Sequence, residues 1–254
     1  MDWLINQNII LVSFLGGFFT FLVTLIGALS VIICPKINEK ILSVIIGFSA
    51  GVMLASAIYS LLNPAIELAR ELNYFLVFPV FIGLILGFAF LILIDYFLNL
   101  KNKRSNAMLL LTSMTIHNVP EGLCIGVAFG SIALGLDNLD FIQAISLTLA
   151  IGLQNFPEGM ACALPLQNEG FSKKKSFIFG SMSAIVEPIS AVIGAIIVII
   201  VKTVLPYLLS FASIIMILVV INELLPEMII KRKIPTSVGF ILGFCVMLLL
   251  DICL

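Results

Sequence analysis

Eight apolar segments of membrane-spanning length follow one another along this chain of 254 residues, and they restrict what it can fold into. Each is close to the roughly 20 residues that an α-helix needs to cross the hydrocarbon core of a bilayer. Charged residues make up only 11% of the chain, about half the share found in ordinary globular proteins. The sequence therefore predicts an all-α integral membrane protein with eight transmembrane helices. In order, the segments are Ile9–Ile33, Ile41–Leu62, Phe75–Leu98, Ala107–Leu134, Phe141–Leu166, Ser176–Val201, Tyr207–Ile230 and Thr236–Leu254.

Short connections between these segments leave room for one integral domain over residues 1–254 and for no separate catalytic domain. The first segment has no basic flank before it and is too long for the apolar region of a cleavable signal peptide. Eleven of the 13 Lys and Arg residues follow predicted helices 1, 3, 5 and 7. Because cytoplasmic loops carry the excess of positive charge, both termini are expected to be extracytoplasmic. The net charge of −1 gives no indication of a nucleic acid partner.

Two related six-residue phrases bring polar groups into predicted helices 4 and 5. They read HNVPEG at residues 117–122 and QNFPEG at residues 154–159. Polar groups at the midplane of a membrane are costly and are usually functional. Since an α-helix turns about 100° per residue, the glutamate of each phrase projects between the directions of its first two residues. The side chains concerned are His117, Asn118 and Glu121 in the first phrase and Gln154, Asn155 and Glu158 in the second.

Facing each other, the two phrases could hold two cations side by side, with Glu121 and Glu158 bridging both positions. One position would take the first residue of each phrase, and the other would take the second residue. The proline in each phrase displaces a backbone carbonyl four residues earlier, and such carbonyls are tolerated at membrane depth where they line a cavity or bind a ligand. With three predicted helices on either side of the phrases, the layout is 3+2+3.

Further polar residues extend this candidate site. Glu187 precedes a proline on predicted helix 6, Asn222 and Glu223 lie toward the cytoplasmic end of predicted helix 7, and Met53 offers a thioether on predicted helix 2. Carboxylates, amides, one imidazole and a thioether form a ligand set of intermediate hardness, and imidazole suits zinc, copper, iron and nickel. We therefore expect Zn²⁺ first, followed by Fe²⁺, Mn²⁺ and Cd²⁺.

At these motifs the chain resembles the ZIP family of divalent metal transporters over essentially its whole length. The segments HNVPEG and QNFPEGMACALPL, followed by VEPISAVIGA and NELLPE, are similar to the GufA-type bacterial branch of that family. The resemblance implies a binuclear metal site, in which Met53 belongs to the first position and Glu187 to the second. It also implies an exit path at Glu223, acids at the outer mouth at Glu67 and Asp251, movement of helices 1, 4, 5 and 6 as a unit, and a homodimer.

The chain departs from the family pattern in two places. Asn155 stands where the GufA-type pattern can carry aspartate, so the second position loses a negative charge. Because like charges repel strongly in a low-dielectric site, two divalent cations are poorly neutralised, and we expect one tightly bound metal and a weak or empty second position. The histidine-rich cytoplasmic loop of the family is absent, which argues against metal sensing through that loop.

Two functions from different classes are compatible with these residues. One is an importer that moves divalent cations across the inner (cytoplasmic) membrane by alternating access, with the metal as its transported substrate. The other is an intramembrane metal-dependent hydrolase in which Glu121 or Glu158 acts as a general base. A catalytic zinc usually keeps three firm protein ligands, often histidines, whereas this chain has one histidine. We therefore expect the importer and no enzyme activity.

Overall fold

The structure is a computed structural model that describes residues 8–33, 38–100, 106–132, 141–200 and 202–253. Within these ranges, the side chains at positions 76, 94–95, 97–100, 106–110, 112–113, 117, 168, 202, 223–232 and 253 lie outside the description. All regular elements in the described ranges are helical. The all-α prediction is thereby confirmed for this part of the chain.

The described residues form eight long helices, which we number α1–α8 in chain order. A turn at Leu29 interrupts α1, and the stretch 183–185 interrupts α6. A π-helical turn, Ala57–Leu62, lies within α2, and a second, Val220–Leu224, follows α7 directly. The helices are Ile9–Ile33, Glu39–Glu71, Phe78–Leu100, Asn106–Ile132, Phe141–Asn168, Lys173–Ile200, Leu205–Val219 and Leu225–Cys253.

Five helical stretches among the described residues are long and apolar enough to cross a membrane. They lie in α1, α2, α6, α7 and α8. The fourth stretch, Leu205–Asn222, continues from α7 into the π-helical turn, and the fifth is Lys233–Ile252. The chain is therefore a multi-pass membrane protein. The eight-span arrangement and the extracytoplasmic termini stay predictions.

Several predicted helix boundaries were wrong. Helix α2 continues to Glu71 instead of ending at Leu62, and α8 begins at Leu225 instead of Thr236. The basic residues before Thr236 suggested a connection, but Lys and Arg are good helix formers, and the helix also includes Pro235. The predicted segment ends at Leu134, Val201 and Leu254 lie outside the described residues.

Glycines bring α2 against α8 and α3 against α7. A Cβ added at Gly51 would lie 2.7 Å from the backbone nitrogen of Phe244, and one at Gly239 would lie 3.0 Å from that of Phe48. Phe48 lies against Gly239 and Gly51 lies against Phe244, so residue numbers increase in the same direction along both helices. Helices α2 and α8 therefore run parallel. In the second pair, a Cβ at Gly83 would lie 2.5 Å from the carbonyl oxygen of Tyr207. Without side chains in between, the helix backbones approach closely.

The same packing joins α1 to α5 and α4 to α6, again in parallel pairs. A Cβ at Gly27 would lie 3.1 Å from the Cα of Phe156, and one at Gly126 would lie 2.8 Å from the backbone nitrogen of Ala195. Helix α1 also contacts α4 and α6. The two helices that carry the polar phrases are therefore held by α1 and α6 along backbone-to-backbone contacts.

Candidate metal centre

A buried amide–carboxylate pair joins the two polar phrases across α4 and α5. The Gln154 amide nitrogen Nε2 donates a hydrogen bond of 2.8 Å to Glu121 Oε1. Both side chains are almost fully buried, with 0% and 1% of their surface exposed. The Gln154 backbone carbonyl accepts a hydrogen bond of 3.2 Å from Ser49 Oγ, which ties α2 to the same point. The sequence prediction that the two phrases face each other therefore has direct geometric support at this pair.

A second buried amide–carboxylate pair lies next to the first along α5. Asn155 Nδ2 lies 2.9 Å from each carboxylate oxygen of Glu187 on α6 and donates to both. The same nitrogen lies 3.4 Å from the backbone carbonyl oxygen of Thr20 on α1. Asn155 and Glu187 are both fully buried. This pair therefore connects α1, α5 and α6 at the depth of the phrases.

Several buried side-chain oxygens of the two phrases have no hydrogen-bond partner among the described residues. Within the described part of the chain, no partner is present for Asn118 Oδ1, Glu121 Oε2, Gln154 Oε1 or Asn155 Oδ1, all of which are buried. Buried polar atoms in native proteins are nearly always hydrogen-bonded, so each exception needs an explanation. A cation supplies one, because it replaces donors for several oxygens at once.

The glycine that ends each phrase makes room for a neighbouring helix. A Cβ at Gly122 would lie 2.8 Å from the Cα of Glu187, and one at Gly159 would lie 2.8 Å from the backbone nitrogen of Ala28. Pro120 and Pro157 lie inside continuous helices. The glycines therefore position α6 and α1 against the polar residues.

The remaining predicted site residues lie at different places. Glu158 is buried on α5 with 4% of its surface exposed, and Met53 is buried within the large apolar cluster. Asn222 is exposed in the π-helical turn after α7. The side chains of His117 and Glu223 lie outside the described residues. Among the side chains that are described, no three His, Cys, Asp or Glu groups come together so that they could hold a metal ion.

The two acids predicted at the outer mouth share a cavity of about 220 Å³. Glu67 from α2 and Asp251 from α8 both line it, and Asp251 Oδ1 accepts a hydrogen bond of 3.1 Å from Ser60 Oγ. Val127 and Leu147 line the same cavity, and both belong to the large apolar cluster. Glu67 and Asp251 therefore line one cavity, although they are far apart in sequence.

An apolar layer separates this cavity from the buried pairs. Met53, Cys124, Ile125 and Ile151 are each at most 1% exposed and belong to one cluster. Cys124 follows Glu121 by one helical turn, and Ile151 precedes Gln154 by one turn. The described side chains thus close the centre toward the cavity.

Sequence reasoning missed two contributors, Thr20 and Ser49. Both are fully buried, and each contacts an amide residue of the second phrase through the hydrogen bonds described above. A faint signal was present, because Thr20 follows Gly17 and Ser49 precedes Gly51 on helix faces that lie against other helices. A hydroxyl in an apolar helix usually bonds its own backbone, as Thr20 Oγ1 does with Gly17 O at 3.0 Å.

Comparisons with known proteins identify the family of this chain. A family model described as ZIP Zinc transporter matches residues 98–251. The zinc transporter ZIP11 of Homo sapiens is 32% identical, over 94% of this chain and 96% of that protein. The zinc transporter GufA of Myxococcus xanthus is 31% identical over 90% and 93%, and the zinc transporter ZIPB of Bordetella bronchiseptica is 30% identical over 93% and 79%. The members of this family are transporters rather than enzymes, and the chain belongs to the ZIP family of membrane metal transporters.

Proposed function

We propose that this chain imports divalent cations, Zn²⁺ first, across the cytoplasmic membrane by alternating access at the centre on α4 and α5. The observation that supports this proposal is the set of buried oxygens without a hydrogen-bond partner among the described residues. These oxygens are Asn118 Oδ1, Glu121 Oε2, Gln154 Oε1 and Asn155 Oδ1. They belong to one carboxylate and three amides, which are ligands that divalent metals accept from proteins. A buried cation would satisfy these oxygens, and two adjacent carboxylates, Glu121 and Glu158, would balance its charge.

The first position of the centre takes His117, Glu121, Gln154 and Glu158, with Met53 as a further ligand. The second position lies beside Asn118 and Asn155, and Glu187 belongs to this side of the centre. Glu187 has two alternative roles, either as a ligand of a second cation or as the hydrogen-bond acceptor that holds Asn155. Fe²⁺, Mn²⁺ and Cd²⁺ are proposed as further substrates because the ligand set mixes nitrogen and oxygen donors.

The transport path begins at the cavity that contains Glu67 and Asp251, where negative charge raises the local concentration of cations. It ends near Asn222 and Glu223. The closed apolar layer between the cavity and the centre supports an alternating mechanism, because the two cannot be continuous while this layer is packed. Opening this layer would admit the metal, and closing it would precede release to the cytoplasm.

The proposed topology is eight spans in a 3+2+3 arrangement with both termini extracytoplasmic. The parallel pairs support it. If α1, α2 and α3 correspond to α6, α7 and α8, and α4 corresponds to α5, each parallel pair has an equivalent. The α1–α5 pair corresponds to the α6–α4 pair, and the α2–α8 pair corresponds to the α7–α3 pair. Inverted repeats of this kind with a midplane site are typical of transporters. A homodimer is proposed from the family resemblance, and cross-linking in native membranes tests it.

Uptake by purified protein in liposomes tests the function. Liposomes with a fluorescent chelator inside receive Zn²⁺, Mn²⁺, Fe²⁺ or Cd²⁺ outside, and the expected result is saturable uptake with Zn²⁺ among the substrates. The Glu121→Ala and Glu158→Ala variants should be incorporated but inactive. Uptake by the wild type no faster than by empty liposomes would contradict the proposal. Near-normal uptake by either variant would contradict the assignment of the centre.

A further inference from the structure

We infer that Glu187 is a positioning residue that orients the Asn155 amide toward the metal, and that the centre therefore holds one divalent cation, to which the Asn155 oxygen is added beside the ligands of the first position. This inference rests on the proposed function and specifies the stoichiometry of the same centre. It replaces a ligand role for Glu187 by a role exerted through Asn155.

The two ends of the Asn155 amide are used differently. An asparagine amide offers two N–H donors and one carbonyl acceptor. The nitrogen donates to both carboxylate oxygens of Glu187 at 2.9 Å, and the carbonyl oxygen Oδ1 is left without a partner within the described residues. Glu187 thus fixes which end of the amide points away from α6. The free end is the oxygen, which is the end that binds cations.

The neighbouring pair uses its carboxylate in another way. Gln154 donates to Glu121 Oε1 at 2.8 Å, whereas Glu121 Oε2 has no partner among the described atoms. Glu121 therefore keeps one oxygen available for a metal, while both oxygens of Glu187 are engaged. A cation bound directly to Glu187 would have to share both oxygens with the Asn155 nitrogen.

Glu187 also has a stabilising environment that needs no second metal. It lies in the first turn of the helical segment Val186–Ile200. The dipole at a helix N-terminus favours a negative charge there. A hydrogen bond from an amide to an ionised carboxylate is also stronger than one between neutral groups.

The charges of the centre favour a single cation. Glu121 and Glu158 together balance one divalent ion. Adding Glu187 gives three negative charges against the four positive charges of two such ions, and like charges at short range in a poorly solvated site repel strongly. The hydrogens of the Asn155 amide already direct partial positive charge at the Glu187 carboxylate.

Residues that orient a metal ligand from behind typically contribute about 10- to 100-fold to metal affinity. We therefore expect Glu187→Ala to lower Zn²⁺ affinity by that factor with one metal still bound per protomer. Glu187→Gln should change affinity by less than about tenfold, because its carbonyl oxygen still accepts a hydrogen bond from Asn155. Asn155→Asp should instead place two carboxylates side by side and create a second binding position.

Equilibrium dialysis of the purified, full-length protein against buffered Zn²⁺, with metal and protein both quantified, measures these values. Ser190→Ala is the matched control, because Ser190 is buried on the same helix and its hydroxyl bonds the carbonyl oxygens of Val186 and Glu187 on that helix. Thermal unfolding in detergent checks each fold. If Glu187→Ala is unfolded, the inference is tested by the Zn²⁺ stoichiometry and affinity of Glu187→Gln and Asn155→Asp.

The expected stoichiometry is one metal for the wild type, Glu187→Gln and the control, and two for Asn155→Asp. Two tightly bound metals in the wild type, or one metal fewer in Glu187→Gln than in the wild type, would overturn the inference. Neither result would contradict the proposed transport function. One metal in Asn155→Asp would also overturn it. A wild type that neither binds Zn²⁺ nor transports it would refute the proposed function itself.

Discussion

Replacing Glu121 by glutamine tests whether the centre binds its cation through charge. Glu121 is 1% exposed, one of its oxygens accepts a hydrogen bond from Gln154, and the other has no partner within the described residues. Glutamine has nearly the same shape, and its carbonyl oxygen can accept the same hydrogen bond. The fold should therefore be retained while one negative charge is lost.

The magnitude follows from the burial of this carboxylate. Two unit charges 4 Å apart attract by about 4 kcal/mol at an effective dielectric constant of about 20, so a carboxylate and a divalent cation attract by about 8 kcal/mol. Several kcal/mol of this offset the desolvation of the buried charge, which leaves a net contribution of about 3–4 kcal/mol. At about 1.4 kcal/mol for each factor of ten, Zn²⁺ affinity should fall by about two to three orders of magnitude.

A competition titration against a chromophoric zinc chelator measures this change in detergent, and circular dichroism checks that the helices are retained. Glu67→Gln is the matched control, because it makes the same substitution at an exposed position in the outer cavity. Its affinity should stay within about threefold of the wild type, since exposed charges are screened by water and salt. A folded Glu121→Gln variant with wild-type affinity would refute the charge argument.

Four other outcomes are expected. His117→Ala should reduce Zn²⁺ uptake more than Mn²⁺ uptake, because zinc gains more from nitrogen ligation; equal losses would indicate a structural role. Glu67→Gln combined with Asp251→Asn should slow uptake at low Zn²⁺ and low ionic strength, and the difference from the wild type should shrink in high salt. Gly51→Val should lower the thermal unfolding temperature by the equivalent of about 1–3 kcal/mol or more, because its side chain would overlap the α8 backbone; an unchanged unfolding temperature would contradict the close packing. Zn²⁺ affinity, measured by the same chelator titration, should decrease as pH falls, because protons compete with the metal for carboxylates and imidazole; affinity independent of pH would contradict such ligands.

The sequence indicated which helices carry the buried polar residues but not the contacts among these residues. Burial of Glu121 and Glu158 follows from their place in apolar helices, and proline and glycine at fixed offsets indicate that the two phrases are related. The partner of Asn155 could not be read from the sequence, because it depends on the side-chain rotamer and on the register between α5 and α6. Ser49 gave little signal for a different reason. Its hydroxyl donates to the backbone carbonyl of Gln154, and this contact depends on how α2 packs against α5.

The boundaries of α2 and α8 show another limit of sequence reasoning. Pro64 lies at the start of the helical segment Asn63–Glu71, where its missing N–H costs nothing, so the helix continues beyond the predicted end. The basic residues before Thr236 suggested a connection on grounds of polarity. Polarity predicts where the membrane ends, whereas the helix ends only where backbone hydrogen bonding stops.

The glycine contacts between parallel helices divide the chain into positions with opposite tolerance to mutation. At Gly27 and Gly126 the next atoms are backbone atoms of another helix, so even a methyl group requires two helices to separate. Phe14 and Phe18 expose 40% and 39% of their surface, so an apolar residue of different size there displaces no other helix of this chain. The smallest side chains are therefore the least replaceable, and sequence drift in this protein should be concentrated on its bulkiest ones.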